Sequence, residues 1–112
     1  MGRLSTHVLD TSAGQPADGV RIVVRRDGEV VAEARTNPDG RTDKPLLEGE
    51  AFGPGRYEIT FHVGDYFRGR GVALSDPPFL DEIPLRFGAA GDAHYHVPLL
   101  VSPFGYSTYR GS

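Results

Sequence analysis

An all-β fold of two packed sheets is predicted for this 112-residue chain by three features of its sequence. Its 15 glycines and 9 prolines are scattered as punctuation between short runs instead of collecting in one linker. The run from Arg56 to Val63 alternates strictly, with Tyr57, Ile59, Phe61 and Val63 on one face and Arg56, Glu58, Thr60 and His62 on the other. Runs of this kind recur seven or eight times between turn signals, the pattern of two stacked antiparallel sheets.

Taken in order, Leu4 to Asp10 forms the first strand, followed by a loop over Thr11 to Gly19. Val20 to Arg26 sends Val20, Ile22 and Val24 to one side, and Asp27-Gly28 is a tight hairpin signal into a strand over Glu29 to Arg35. Asn37-Pro38-Asp39-Gly40 is a second turn, leading into a short strand near Arg41. Gly53-Pro54-Gly55 turns the chain into the alternating strand and is not followed by a helix, as a phosphate-binding loop would be. Gly64 to Arg70 is the one helical stretch, brief and placed directly after that strand. Ile83 to Phe87, Ala93 to Ser102 and Tyr106 to Arg110 complete the set. Residues 1–112 are expected to form a single domain, because two separately cored halves would each be near the lower limit of independent stability.

Composition removes several function classes. With 12 basic and 15 acidic residues the net charge is −3, which offers no basic field for nucleic acid. No apolar run approaches the ~18 residues of a membrane span. The absence of cysteine excludes disulfides, thiol nucleophiles and thiolate metal sites. No apolar leader precedes His7, so a cytoplasmic location is expected.

Chemistry concentrates where strand periodicity puts polar groups beside apolar ones. In His94 to Ser102, Tyr95, Val97, Leu99 and Val101 take the core side, and His94, His96, Pro98 and Leu100 the other. In the first strand Leu4, Thr6 and Val8 oppose Ser5, His7 and Leu9. Near the end of the chain Ser107, Tyr109 and Gly111 oppose Tyr106, Thr108 and Arg110. If these three strands share a sheet, its outer face carries His7, His96 and Tyr109 among Leu9, Pro98 and Leu100, too apolar for a solvent face and suited to an interface. A histidine on a strand is more often structural than reactive. His62 and Lys44 read as solvated charge. His94 and His96 have the spacing of a metal-binding pair, but two ligands do not complete a site.

The segment Leu4-Ser5-Thr6-His7-Val8-Leu9-Asp10, the turn Thr36 to Arg41, the run His94 to Pro103 and the ending Tyr106 to Ser112 together resemble the 5-hydroxyisourate hydrolases, the transthyretin-related enzymes. The resemblance runs over essentially the whole chain, and its terminal Tyr-Arg-Gly-Ser is the element that separates these hydrolases from transthyretin itself. It implies a transthyretin-like β-sandwich of about eight strands with one short helix, assembled as a homotetramer, a dimer of dimers. The active sites would lie at the dimer–dimer interface. Motif by motif, it implies catalytic roles for His7, Arg41, His96 and Ser112, and substrate binding by His7, Arg41, Tyr109, Arg110 and Gly111.

The reaction implied is the opening of 5-hydroxyisourate to 2-oxo-4-hydroxy-4-carboxy-5-ureidoimidazoline by water, with no cofactor and no metal. The residue types suit it: imidazoles move protons near neutral pH, and a guanidinium holds an oxyanion. A transthyretin-like protein that binds a small ligand without catalysis is the alternative. It would have the same sandwich without the combination of His7, Arg41, His96 and the terminal tetrapeptide.

Overall fold

Among the described residues, 2–111, the computed structural model contains eleven strands, one 3-10 turn and one helix. In chain order the strands are β1 (Arg3–Ser5), β2 (Val8–Asp10), β3 (Gln15–Pro16), β4 (Arg21–Arg26), β5 (Glu29–Arg35), β6 (Leu47–Glu48), β7 (Gly55–His62), β8 (Glu82–Ala89), β9 (His94–His96), β10 (Leu99–Ser102) and β11 (Gly105–Thr108). The helix, α1 (Val63–Gly69), follows β7 directly, as the sequence predicts.

One layer of the sandwich is the antiparallel sheet β5-β4-β7-β8. Its hairpin turns at Asp27 and Gly28, both with positive φ, as the Asp-Gly signal requires. The other layer comes as two stretches, β6-β1-β9 and β11-β10-β2-β3. The single strands expected over Leu4 to Asp10 and over Ala93 to Ser102 are each broken in the middle, and Pro98 supplies a physical reason. Proline has no N–H to give to a ladder. The buried Thr6 hydroxyl donates instead to the Val97 carbonyl (2.7 Å), and bonds from Val97 N to Ser5 O and from Leu99 N to His7 O, both 2.9 Å, carry the pairing across the break.

Three expectations need correction. The second layer is mixed, not antiparallel, because β1 runs parallel to β9 and β2 parallel to β10. No strand forms at Arg41, which lies in the turn, and the short strand falls at Leu47–Glu48. Pro98 is buried within the chain and does not extend the outer apolar face.

The core lies between the layers. Ile22, Val24, Ile59, Phe61 and Ile83 of the first face Leu4, Val8, Leu99 and Val101 of the second, all 0–1% exposed. Alternation therefore leaves Ser5, His7, Leu9, His96 and Leu100 on the outer face, half-buried.

One buried polar group ties the start of the chain to the helix. The Asp10 carboxylate, 2% exposed, accepts from Ser12 N, Ser12 Oγ, Ala13 N and the Tyr66 hydroxyl (3.0, 2.6, 3.1 and 2.8 Å). Burial alone raises its pKa, but these hydrogen bonds outweigh it and hold the group below the usual range. The Tyr66 hydroxyl is pushed up to about 12, first by burial and then by its bond to Asp10. A folded pKa below the unfolded one gives stability that is full above the ordinary carboxylate range and lost as pH falls through the folded value. Asp10→Ala is expected to cost about 3 kcal/mol, since it strands the donors it satisfied. Thermal melts from pH 7 to pH 3 should show the lower midpoint at neutral pH and a shallower acid-side decline.

Candidate active site

The parallel register of β1 and β9 sets Ser5 opposite His96. Both side chains stand on the outer face, where Ser5 Oγ is 2.9 Å from His96 Nδ1. His7, two residues further along, lies in the break after β1, and its Nε2 meets the Asp39 carbonyl at 2.8 Å. A carbonyl only accepts, so neutral His7 carries its proton on Nε2 and keeps a lone pair on Nδ1.

The Asn37–Arg41 turn reaches this face because the Asn37 side chain organises it. Asn37 Oδ1 accepts from the backbone N–H groups of Asp39 (3.0 Å) and Arg41 (3.2 Å), and the turn docks on β2 through Val8 N to Gly40 O (2.8 Å). Gly40 sits at φ +75°, against the Val8 carbonyl and 3.2 Å from His7 Cδ2 measured from where a Cβ would be. A side chain there has neither the backbone conformation nor the room. The turn thus brings Arg41 beside the imidazoles as an exposed cation.

His96 is held below the ordinary histidine pKa, mainly by burial and then by the positive charge of Arg41 and of His7. At neutral pH it is an uncharged imidazole next to a fixed cation, which can take or give a proton. Beyond Arg41, a cavity of about 270 Å³ is bordered by Arg3, Ser5, Arg41 and Lys44, with Asp43 already engaged by Asn37 Nδ2 (3.0 Å). The surroundings favour an anionic or carbonyl-rich ligand.

The chain end divides. β11 stops at Thr108, whose hydroxyl donates to the Pro98 carbonyl (2.7 Å). Beyond it the period of two no longer governs the side chains. Tyr109 borders an apolar groove of about 300 Å³ with Leu85, Phe87, Tyr95 and Val97, at the mouth between the two layers. Arg110 stacks on the Tyr95 ring, with its guanidinium carbon 4.0 Å from the ring centroid. In this single chain Tyr109 and Arg110 are therefore placed off the His7–His96 face that the strand period assigned to Tyr109. Gly111 returns to it: its N–H donates to the His96 carbonyl (2.7 Å), and a Cβ on it would lie 2.6 Å from His96 Cδ2. Ser112 lies outside the described residues.

The structure thus brings together His7, Arg41, His96 and Gly111. It adds Ser5, which the sequence reading placed on the same face without giving it a part in the site. The signal was its position two residues before His7, but its partner depends on a parallel register that no local pattern encodes. Among the described residues no group of three or more histidine or carboxylate side chains is gathered to hold a metal ion.

The model of the HIUase/transthyretin family matches residues 4–111. Over 116 residues the chain is 59% identical to 5-hydroxyisourate hydrolase 2 of Rhizobium meliloti, covering 99% of this chain and 97% of that protein. Its fold superposes on Klebsiella pneumoniae 5-hydroxyisourate hydrolase with a TM-score of 0.87 and 38% identity, covering 100% of both chains. It also superposes on sea bream transthyretin in complex with thyroxine with a TM-score of 0.86 and 29% identity, covering 97% of this chain and 94% of that one.

Proposed function

The chain belongs to the HIUase/transthyretin family, and from that premise we propose that it is a 5-hydroxyisourate hydrolase acting in urate breakdown. The observation that carries this reading is His96 and His7 on one sheet face with the Arg41 turn packed against it, an arrangement whose burial and positive charge lower the His96 pKa. In the reaction, water adds to the C6 carbonyl of the N1–C6 amide. One water proton passes to an imidazole, and Arg41 donates to the oxyanion that develops. When the C6–N1 bond breaks, an imidazolium returns that proton to the departing nitrogen, and C6 becomes a carboxylic acid that releases the second water proton to solvent to leave a carboxylate. General acid–base help of this kind is worth about 10²–10⁴ in rate, and a donor aimed at the oxyanion about 10²–10³.

The reading extends to Tyr109, Arg110, Gly111 and Ser112 as the segment that closes the site, and to a cytoplasmic single-domain enzyme. Among the described residues no helix is long and apolar enough to cross a membrane. The face is open in one chain, and Leu9 and Leu100 put half-buried apolar surface beside it. A second copy of that face would wall the pocket, which is the reason to propose a homotetramer built as a dimer of dimers. The binder alternative shares the sandwich, since sea bream transthyretin has it. Nothing in an apolar-ligand site calls for two imidazoles and a guanidinium together.

Two readouts on one sample test the proposal. Freshly generated 5-hydroxyisourate should lose its ultraviolet absorbance far faster with protein than without, and the same protein should sediment at the mass of four chains. Decay at the spontaneous rate would leave the binder reading in its place.

A further inference from the structure

We propose that Ser5 is a positioning residue for His96, holding ring atom Nδ1 so that one tautomer and one ring orientation present Nε2 to the substrate. The inference rests on the reading of His96 as a group that moves a proton.

Two contacts converge on this one imidazole, and the backbone register sets up the one from Ser5. The backbone bond from Val97 N to Ser5 O (2.9 Å) sets the two residues side by side in register. Gly111 closes on the Cδ2 edge so tightly that a Cβ would not fit. Ser5 Oγ takes Nδ1 at 2.9 Å. With the edge blocked and Nδ1 engaged, Nε2 is the ring nitrogen left for chemistry. A neutral imidazole exchanges readily between two tautomers, and only one has the proton where the reaction needs it. A hydroxyl oxygen suits the task, because it accepts from Nδ1–H in the neutral ring, leaving Nε2 bare to take a proton, and goes on accepting when the ring becomes an imidazolium. His7 is held by other means, through the Asp39 carbonyl, so each imidazole has its own orienting partner.

The other side-chain clusters carry less. The Asp10–Tyr66 network is fully hydrogen-bonded and joins structural elements. The Phe79–Phe104 pair is exposed, with nothing in the structure to say what covers it.

The test uses the full chain and the variants Ser5→Ala, Ser5→Thr and Ser5→Cys. Long-range proton–nitrogen spectra of the His96 ring, recorded without substrate and assigned with a His96→Gln control, read the tautomer directly. Native protein and Ser5→Thr should show one dominant tautomer, and Ser5→Ala a mixture. In the absorbance assay Ser5→Ala should lose about 10- to 100-fold in kcat with KM changed less than about threefold, and Ser5→Thr should recover most of it. Ser5→Cys keeps the size but has a weak hydrogen-bonding group, and should follow Ser5→Ala. It serves as the decisive variant if Ser5→Ala melts far below the native protein. An unchanged tautomer ratio with unchanged kcat in a folded Ser5→Ala or Ser5→Cys variant overturns the proposal. If native protein fails to accelerate the reaction, the proposed function fails, while the nitrogen spectra still decide the role of Ser5.

Discussion

His96→Ala is expected to lower kcat for 5-hydroxyisourate by about 10²–10⁴, the largest loss of any single side-chain truncation at the site. The imidazole is half-buried, uncharged at neutral pH and held by Ser5 at Nδ1 and by Gly111 at the Cδ2 edge, so its removal takes away an oriented proton carrier. His7 keeps a lone pair on Nδ1, but the Asp39 carbonyl fixes its ring at its own place in the break after β1, so it does not take over the position of His96. Arg41→Ala should cost about 10²–10³ through loss of the oxyanion donor. Arg41→Lys should recover little, since an ammonium lacks the planar fork that meets two oxygens at once. Burial is the main cause of the lowered His96 pKa, and Arg41→Ala removes a positive charge that adds to it. The acid limb of the kcat profile should therefore shift to higher pH in that variant. Melting points should stay within a few degrees of native for Arg41→Ala, whose side chain is exposed. If His96→Ala remains folded and keeps near-native turnover, His96 is not the proton carrier and the site must be built elsewhere.

Much of this arrangement was legible because alternation is a local property. The inward set Tyr95, Val97, Leu99 and Val101 is buried, and the outward His7 and His96 are half-buried on the opposite face. The Asp-Gly hairpin and the helix after β7 also follow from adjacent residues. What local pattern does not contain is partnership between distant strands. The parallel pairing of β1 with β9, and hence the meeting of Ser5 with His96, comes from closing the sandwich over about ninety residues. Leu47–Glu48 was missed because two residues have no period, and the strand exists only through its pairing with β1. Periodicity fails at Tyr109, which it assigns to the outer face: the ladder ends at Thr108, and Tyr109 turns to the groove beside Leu85 and Phe87 while Arg110 stacks on Tyr95. The stop is visible in neither residue type, since tyrosine and arginine both suit an edge strand.

That stop governs the last expected result. Deleting residues 109–112 should abolish turnover while moving the melting point by no more than a few degrees. Tyr109 and Arg110 are exposed and none of the segment's described residues belongs to the core, so little stability is at stake. Its contacts nevertheless end on the imidazole. Arg110 on Tyr95 anchors the segment, and that anchor delivers Gly111 to the His96 carbonyl and to the ring edge. Two substitutions separate delivery from presence. Arg110→Ala removes the stack and should weaken turnover by about fivefold, the equivalent of the ~1 kcal/mol a cation–π contact contributes when partly exposed. Gly111→Val keeps the stack but puts carbon where only 2.6 Å separates a Cβ from His96 Cδ2, so either the ring or the tail must leave its place. Its loss should approach that of the deletion, about 10²-fold or more. A deletion variant with native kcat and KM would show that the ring is held by Ser5 and the sheet alone, and the tail would have no part in the chemistry.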